Sequence, residues 1–166
     1  MTRDEITAAL TELGRRLDEN GVRGEMYVVG GAAIALAFDE RRTTRDIDAV
    51  FEPKATIYEI ADAMADAGWA EDGWLNDAVK GFLAGTDEGA AVALDVPGLR
   101  VSTASARMLL ALKVLAHRVG EDEADVRLLA AALGLSQATE VLAVAAATFG
   151  DRLDAAARFF VEEIFE

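Results

Sequence analysis

One short stretch constrains this chain more than any other. Met26-Tyr27-Val28-Val29 is apolar and β-prone, it stops at Gly30-Gly31, and the run Ala32-Ala33-Ile34-Ala35-Leu36-Ala37-Phe38 that follows is a strong helix former. The order is strand, glycine turn, helix. After a charged stretch from Asp39 to Arg45, Asp46-Ile47-Asp48-Ala49-Val50-Phe51 alternates in polarity and ends before Pro53, which predicts a second strand. Such a chain needs a sheet with helices laid against it, so we expect an α/β (α+β) fold with a small mixed sheet flanked by helices.

The flanking sequence extends this pattern. Ile6, Leu10, Leu13 and Leu17 fall at spacings of 4, 3 and 4, one face of a helix ending near Asn20-Gly21. A further helix is expected from about Ala55 to Ala67. Residues Gly68 to Gly89 hold five of the 14 glycines and both tryptophans, and read as irregular with a short helix near Asn76 to Phe82. Ala91–Asp95 and Leu99–Thr103 flank Pro97-Gly98, a turn pair, so they form a hairpin and bring the sheet to about four strands. Everything after Ser105 reads as helical. Met108, Leu112, Leu115 and Val119 form one apolar stripe, and Val126, Leu129, Ala130 and Leu133 form another before Gly134. Ser136 is the expected cap of a third helix, Val141 to Thr148 its packing face, and Leu153 to Phe165 a fourth helix. Residues 1–104 thus read as an α/β core and 105–166 as a helical lobe packed on it.

Composition excludes several classes of function. With 166 residues and 30 Asp plus Glu against 16 Lys plus Arg, the net charge is −14, which disfavours a nucleic-acid coat or an anionic membrane surface. The absence of Cys excludes disulfides and zinc–thiolate sites. No apolar run approaches the roughly 18 residues of a membrane span, and the chain reads as cytoplasmic.

The chemistry concentrates between Tyr27 and Phe51. On a strand, Asp46 and Asp48 share a face with β-carbons roughly 6–7 Å apart, while Ile47, Ala49 and Phe51 face the core. Two carboxylates so placed supply the protein half of a site for magnesium or manganese, the rest coming from substrate phosphates. Upstream, Gly30 and Gly31 sit between strand and helix, where bare backbone amides accept phosphate oxygens. Arg42, Thr44 and Arg45 add a cationic, hydroxyl-bearing approach, unusual in so acidic a chain. Elsewhere the structural readings are favoured: Trp69 and Trp74 as anchors of the glycine-rich segment, and His117, the sole histidine, as a surface or core residue.

Val29-Gly30-Gly31-Ala32 and Arg42-x-Thr44-x-Asp46-Ile47-Asp48, followed by Leu112-Lys113-x-x-Ala116-x-Arg118 and Asp122-x-x-Asp125-Val126, resemble in order the four motifs of the bacterial nucleotidyltransferase toxins of the abortive-infection kind. These are a branch of the polymerase-beta-like nucleotidyltransferase superfamily. The resemblance spans about Tyr27 to Leu133. It implies a minimal nucleotidyltransferase fold that transfers a nucleoside monophosphate from an NTP (ATP among them), with Mg2+ or Mn2+, to a tRNA 3′ end or a protein. It also implies the toxin half of a toxin–antitoxin pair, with a cognate antitoxin as partner. Carried over, Gly30, Gly31, Arg42 and Thr44 bind the nucleotide and Asp46 and Asp48 bind metal. Lys113 neutralises nucleotide phosphate and Asp125 orients that lysine or assists catalysis, whereas Asp122, by residue type and place, reads as a helix cap. Asp48 or Asp95 is the candidate general base, and Asp95 the only strand-end candidate for a third metal carboxylate. Val119-Gly120-Glu121 lacks the second basic residue of the family pattern, which counts against close contact with RNA. Two other readings stand beside this one: a catalytically degenerate binding or antitoxin-like module, and an enzyme modifying a cationic small molecule of the aminoglycoside type.

Overall fold

The structure is a computed structural model and describes residues 1–81, 83 and 85–166. The chain falls into two compact units, Met1–Leu83 with Ala90–Ala104, and Ala84–Gly89 with Ser105–Glu166. The first is built on a mixed five-stranded sheet and the second on helices.

In the first unit, α1 (Arg3–Glu19) begins at a reciprocal cap: the Thr2 hydroxyl accepts from the Glu5 amide at 3.3 Å, and the Glu5 carboxylate accepts from the Thr2 amide at 2.6 Å. Its expected apolar face, Ile6, Leu10, Leu13 and Leu17, is fully buried, each such side chain being worth about 1.5–3 kcal/mol. Glu12 is buried as well. Arg15 and then Arg16 donate to it at 2.6–2.8 Å, holding its carboxyl at about 2.

The strands are β1 (Gly24–Val28), β2 (Ile47–Glu52), β3 (Leu75–Asn76), β4 (Ala91–Val96) and β5 (Leu99–Thr103), in the spatial order β3-β2-β1-β5-β4. β1 runs antiparallel to β2 and parallel to β5, while β3 runs parallel to β2. The C-terminal end of β1 therefore lies beside the N-terminal ends of β2 and β3. Helices α2 (Gly30–Ala37) and α3 (Lys54–Asp66) follow β1 and β2. Ile47, Ala49 and Phe51 are buried as the alternation requires.

Three expectations are corrected here. The sheet has five strands rather than about four, because β3 is only two residues long and leaves no alternation to read. Its place is fixed by tertiary hydrogen bonding, the Ile47 amide donating to the Trp74 carbonyl at 2.7 Å. The short helix expected near Asn76 to Phe82 is present but starts later, as a 3-10 helix over Ala78–Gly81, because Asn76 belongs to β3; Phe82 lies outside the described residues. Asp46 stands on a bend just before β2 instead of within it. Trp74 does anchor the segment, being buried with its indole N–H donating to Ala61 O at 3.1 Å, whereas Trp69 is half exposed.

The second unit contains α4 (Ala106–Ala116), α5 (Glu123–Ala132), α6 (Ala138–Phe149) and α7 (Ala155–Phe165). Ser105 caps α4 by accepting from the Met108 amide at 3.1 Å, and Asp154 caps α7 by accepting from the Ala157 amide at 2.9 Å. The stripe expected through Val119 is not the buried one. α4 stops at Ala116, His117 takes a left-handed conformation, Val119 is exposed, and Met108, Leu109, Leu110, Ala111 and Val114 form the buried face. The cap of α6 is Gln137 rather than Ser136, with the Glu140 carboxylate accepting from both amides at 2.9 and 3.0 Å. Val141, Val144 and Ala145 are buried on α6, which packs against α4 and α7. Among the described residues no helix is long and apolar enough to cross a membrane.

Two outcomes are expected. Gly98 has φ +78°, and a β-carbon there would lie 2.1 Å from Gly14 O and 2.6 Å from Asp18 N on α1; Gly98→Ala should destabilise the fold by about 3 kcal/mol or more, read by urea unfolding. Glu12 sits well below its ordinary value of 4.5, so its stabilisation is present above that pH and is lost as pH falls toward 2. In Glu12→Gln the unfolding midpoint should depend less on pH across that window.

Candidate functional site

The topology collects residues far apart in sequence at one end of the sheet of the first unit. β1 ends at Val28, Val29 donates its amide to Asp48 O at 2.9 Å, and the chain turns at Gly30 (φ +62°) into α2. Val29 has no side-chain oxygen with which to cap this helix, so its first amides receive no cap from that residue. The turn is pressed against the acidic strand. A β-carbon on Gly30 would lie 3.1 Å from Asp48 Oδ2, and one on Gly31 would lie 2.9 Å from Thr44 Oγ1. Only glycine fits both positions without displacing the residues opposite.

Asp46 and Asp48 are both partly exposed and flank the buried Ile47. Asp46 is held at both ends: its carbonyl accepts from Thr44 Oγ1 at 3.0 Å, and its carboxylate Oδ2 accepts from Asn76 Nδ2 at 3.1 Å. Thr44 is fixed by its amide, which donates to Met1 O at 2.9 Å. Arg42 is partly buried, its amide donating to Asp39 O at 3.0 Å, and Arg45 is exposed. Of the expected residues, Gly30, Gly31, Thr44, Asp46 and Asp48 are thus gathered in one place.

Asp95 is not. It lies on β4 at the far edge of the sheet, three strands from β2 and hence about 14 Å away at roughly 4.8 Å per strand. There it pairs with Arg23 at 2.6 Å and Arg100 at 3.7 Å, so it is neither a third carboxylate nor a base for this site. A cavity of about 380 Å³ between α1 and α3, lined in part by Arg15, Arg16, Thr56 and Glu59, contains none of the candidate residues.

The second unit holds Lys113, Asp122 and Asp125 in a buried charge cluster. Lys113 Nζ lies 2.5 Å from Asp122 Oδ1 and 2.8 Å from Asp125 Oδ2, and Arg118 donates to Asp122 at 2.9 and 3.0 Å. Asp122 is fully buried and makes no capping bond to α5, so its expected role as a cap is corrected. Cations claim its oxygens before the helix amides can. Burial alone would raise its carboxyl, but the hydrogen bonds from Arg118 and Lys113 outweigh that and hold it below the usual range.

Residues 5–133 match the family described as nucleotidyltransferase of unknown function (DUF6036). The chain belongs to that family. The fold of this nucleotidyltransferase-family chain is similar to the crystal structure of an antigenic nucleotidyltransferase-like protein from Paracoccidioides brasiliensis, with a TM-score of 0.51 and 16% identity over 89% of this chain and 88% of that one. At that identity the likeness concerns the fold alone. No curated protein matches in sequence.

The donor set suits a hard divalent cation. Two carboxylates separated by one residue, beside a glycine turn that a β-carbon would fill, leave coordination positions for phosphate and water. Among the described residues no group of three or more His, Cys, Asp or Glu is assembled as a protein-only metal cage. Sequence reasoning missed Asn76, whose only local signal is an Asx residue directly after the buried pair Trp74-Leu75.

The charge cluster yields its own expectation. Asp122→Ala leaves Lys113 buried with one partner fewer and should destabilise the second unit by about 3–5 kcal/mol, measured by urea unfolding. Because the Asp122 carboxyl is depressed, its contribution is present above the ordinary carboxylate pKa and is lost as pH falls below it, so acid should erase the difference between wild type and variant.

Proposed function

We propose that this chain is a metal-dependent nucleotidyltransferase that moves a nucleoside monophosphate from an NTP to an acceptor. One observation carries the reading: Gly30 and Gly31 lie so close to Asp48 and Thr44 that a β-carbon on either would press on them, at the end of the sheet where Asp46 also stands. Family membership supports the reaction class.

In this reading the triphosphate lies along the glycine turn, whose amides take phosphate oxygens that no side chain there could displace. Arg42 supplies a further phosphate contact, and Thr44, which the resemblance also assigns to the nucleotide, would do so by turning its hydroxyl from Asp46 O. Asp46 and Asp48 hold Mg2+ or Mn2+, which when bound neutralises the triphosphate and polarises the phosphorus under attack. Nucleotidyl transfer is an in-line displacement, so the work of the protein is positioning and charge neutralisation, with no serine or cysteine nucleophile. Asp48 is the candidate base toward the acceptor hydroxyl. For Lys113 the resemblance implies phosphate neutralisation, and for Asp125 an orienting or catalytic role; the contacts of both with one another support a lysine held in one orientation.

A toxin acting on a tRNA 3′ end or a protein, restrained by a cognate antitoxin, is the acceptor class that the four-motif resemblance favours. The net charge of −14 favours a cationic small molecule instead. Transfer of label from each α-labelled NTP, with magnesium or manganese, into RNA, protein or an aminoglycoside separates these acceptors. Asp46→Ala and Asp48→Ala should each lower transfer by at least about 100-fold, on the scale of losing a stabiliser of transition-state charge. Folded wild-type protein that transfers no label with any NTP and binds no nucleotide would leave the degenerate binding module as the reading.

A further inference from the structure

Resting on the assignment of Asp46 and Asp48 to the metal, we infer that Asn76 is a positioning residue that fixes the Asp46 carboxylate for metal binding. Asp46 lies on a bend outside the β2 ladder, so backbone pairing does not by itself set the direction of its side chain. Asn76 supplies what the ladder does not. It stands opposite Asp48 in the β2–β3 register, and its Nδ2 donates to Asp46 Oδ2 at 3.1 Å.

The orientation of the amide is decided by its other end. Asn76 Oδ1 accepts from the Ala78 amide at 3.3 Å, a group that can only donate, so the NH2 group is the end that faces Asp46. The segment carrying Asn76 is clamped independently. The Asp77 amide donates to the Tyr58 hydroxyl at 3.0 Å, that hydroxyl donates to Asp77 Oδ1 at 2.7 Å, and Lys54 closes the group with an ion pair to Asp77. The Trp74 carbonyl ties the same segment to Ile47. Asn76 is thus a neutral donor mounted on a rigid support, engaging one carboxylate oxygen so that the other is presented in a defined direction. A neutral amide there keeps the protein's own charge at the site low, so cation binding depends on the phosphates of the nucleotide.

The test is Mn2+ binding, read without nucleotide by the electron paramagnetic resonance of free Mn2+ and with ATP by equilibrium dialysis of Mn2+ and ATP retained with the protein against a protein-free Mn2+·ATP control, for wild type, Asn76→Ala and the near-isosteric Asn76→Leu, with Asp46→Ala and Asp48→Ala alongside. Far-UV circular dichroism and the unfolding midpoint establish which variants are folded, and Asn76→Leu retains side-chain volume if the alanine form does not fold. The expected result is Mn2+ binding by wild type that is much tighter with ATP than without, weakened about 10-fold or more in either folded Asn76 variant. Asn76 variants that bind Mn2+·ATP as wild type does, while Asp46→Ala and Asp48→Ala do not, overturn the role of Asn76 and leave the metal assignment standing. Wild-type binding unchanged in Asp46→Ala and Asp48→Ala, or no binding by folded wild type, overturns the metal assignment itself and the inference with it.

Discussion

The antiparallel pairing of β1 with β2 is the constraint on which the candidate site depends. Val28 stands opposite Ala49, and the next amide, that of Val29, donates to Asp48 O at 2.9 Å. A buried backbone donor has to find a partner, and this one finds it on the residue that carries the acidic side chain. A slip of one residue would turn Asp48 into the core and Ala49 out of it, so burial of Ile47, Ala49 and Phe51 also sets the direction of the Asp48 carboxylate. The glycine turn then follows at the point where Asp48 leaves no room for a side chain.

Around that pairing, each neighbour of the acidic pair comes from a different part of the chain. Thr44 holds the Asp46 backbone, Asn76 holds its carboxylate, and Gly31 leaves space for the Thr44 hydroxyl. The arrangement stays polar because these groups satisfy one another at the rim of a sheet whose other face of β2 is apolar. A chain with a net charge of −14 places Arg41, Arg42 and Arg45 in the five residues before Asp46.

The second unit follows different physics. Its helices are held by apolar faces such as Leu109, Leu110 and Val114 on α4 and Val126 and Leu129 on α5. Within them, Lys113, Asp122 and Asp125 are buried together, with Arg118 reaching Asp122 from the surface. Buried charges are tolerable only when each is paired and hydrogen bonded, and this cluster meets that condition by sharing Asp122 between two cations.

Local sequence determined the elements that repeat or punctuate. The 4-3-4 spacing of Ile6, Leu10, Leu13 and Leu17, the alternation from Ile47 to Phe51, the Pro97-Gly98 turn and the Gly30-Gly31 break each act within a few residues, and each is present in the fold. The carboxylate pair and glycine turn were legible for the same reason. Tertiary structure decided what depends on partners distant in sequence. β3 has two residues and exists as a strand because the Ile47 amide needs the Trp74 carbonyl. Val119 continues the α4 spacing yet is exposed because the helix ends three residues earlier, at Ala116. Asp122 has the residue type and place of a cap but is taken by Lys113 and Arg118, and Asp95, at a strand end like the site carboxylates, is carried to the opposite edge by the strand order. Spacing along a chain reports which face a side chain occupies; only the folded chain sets which charges and hydrogen-bonding groups it meets there.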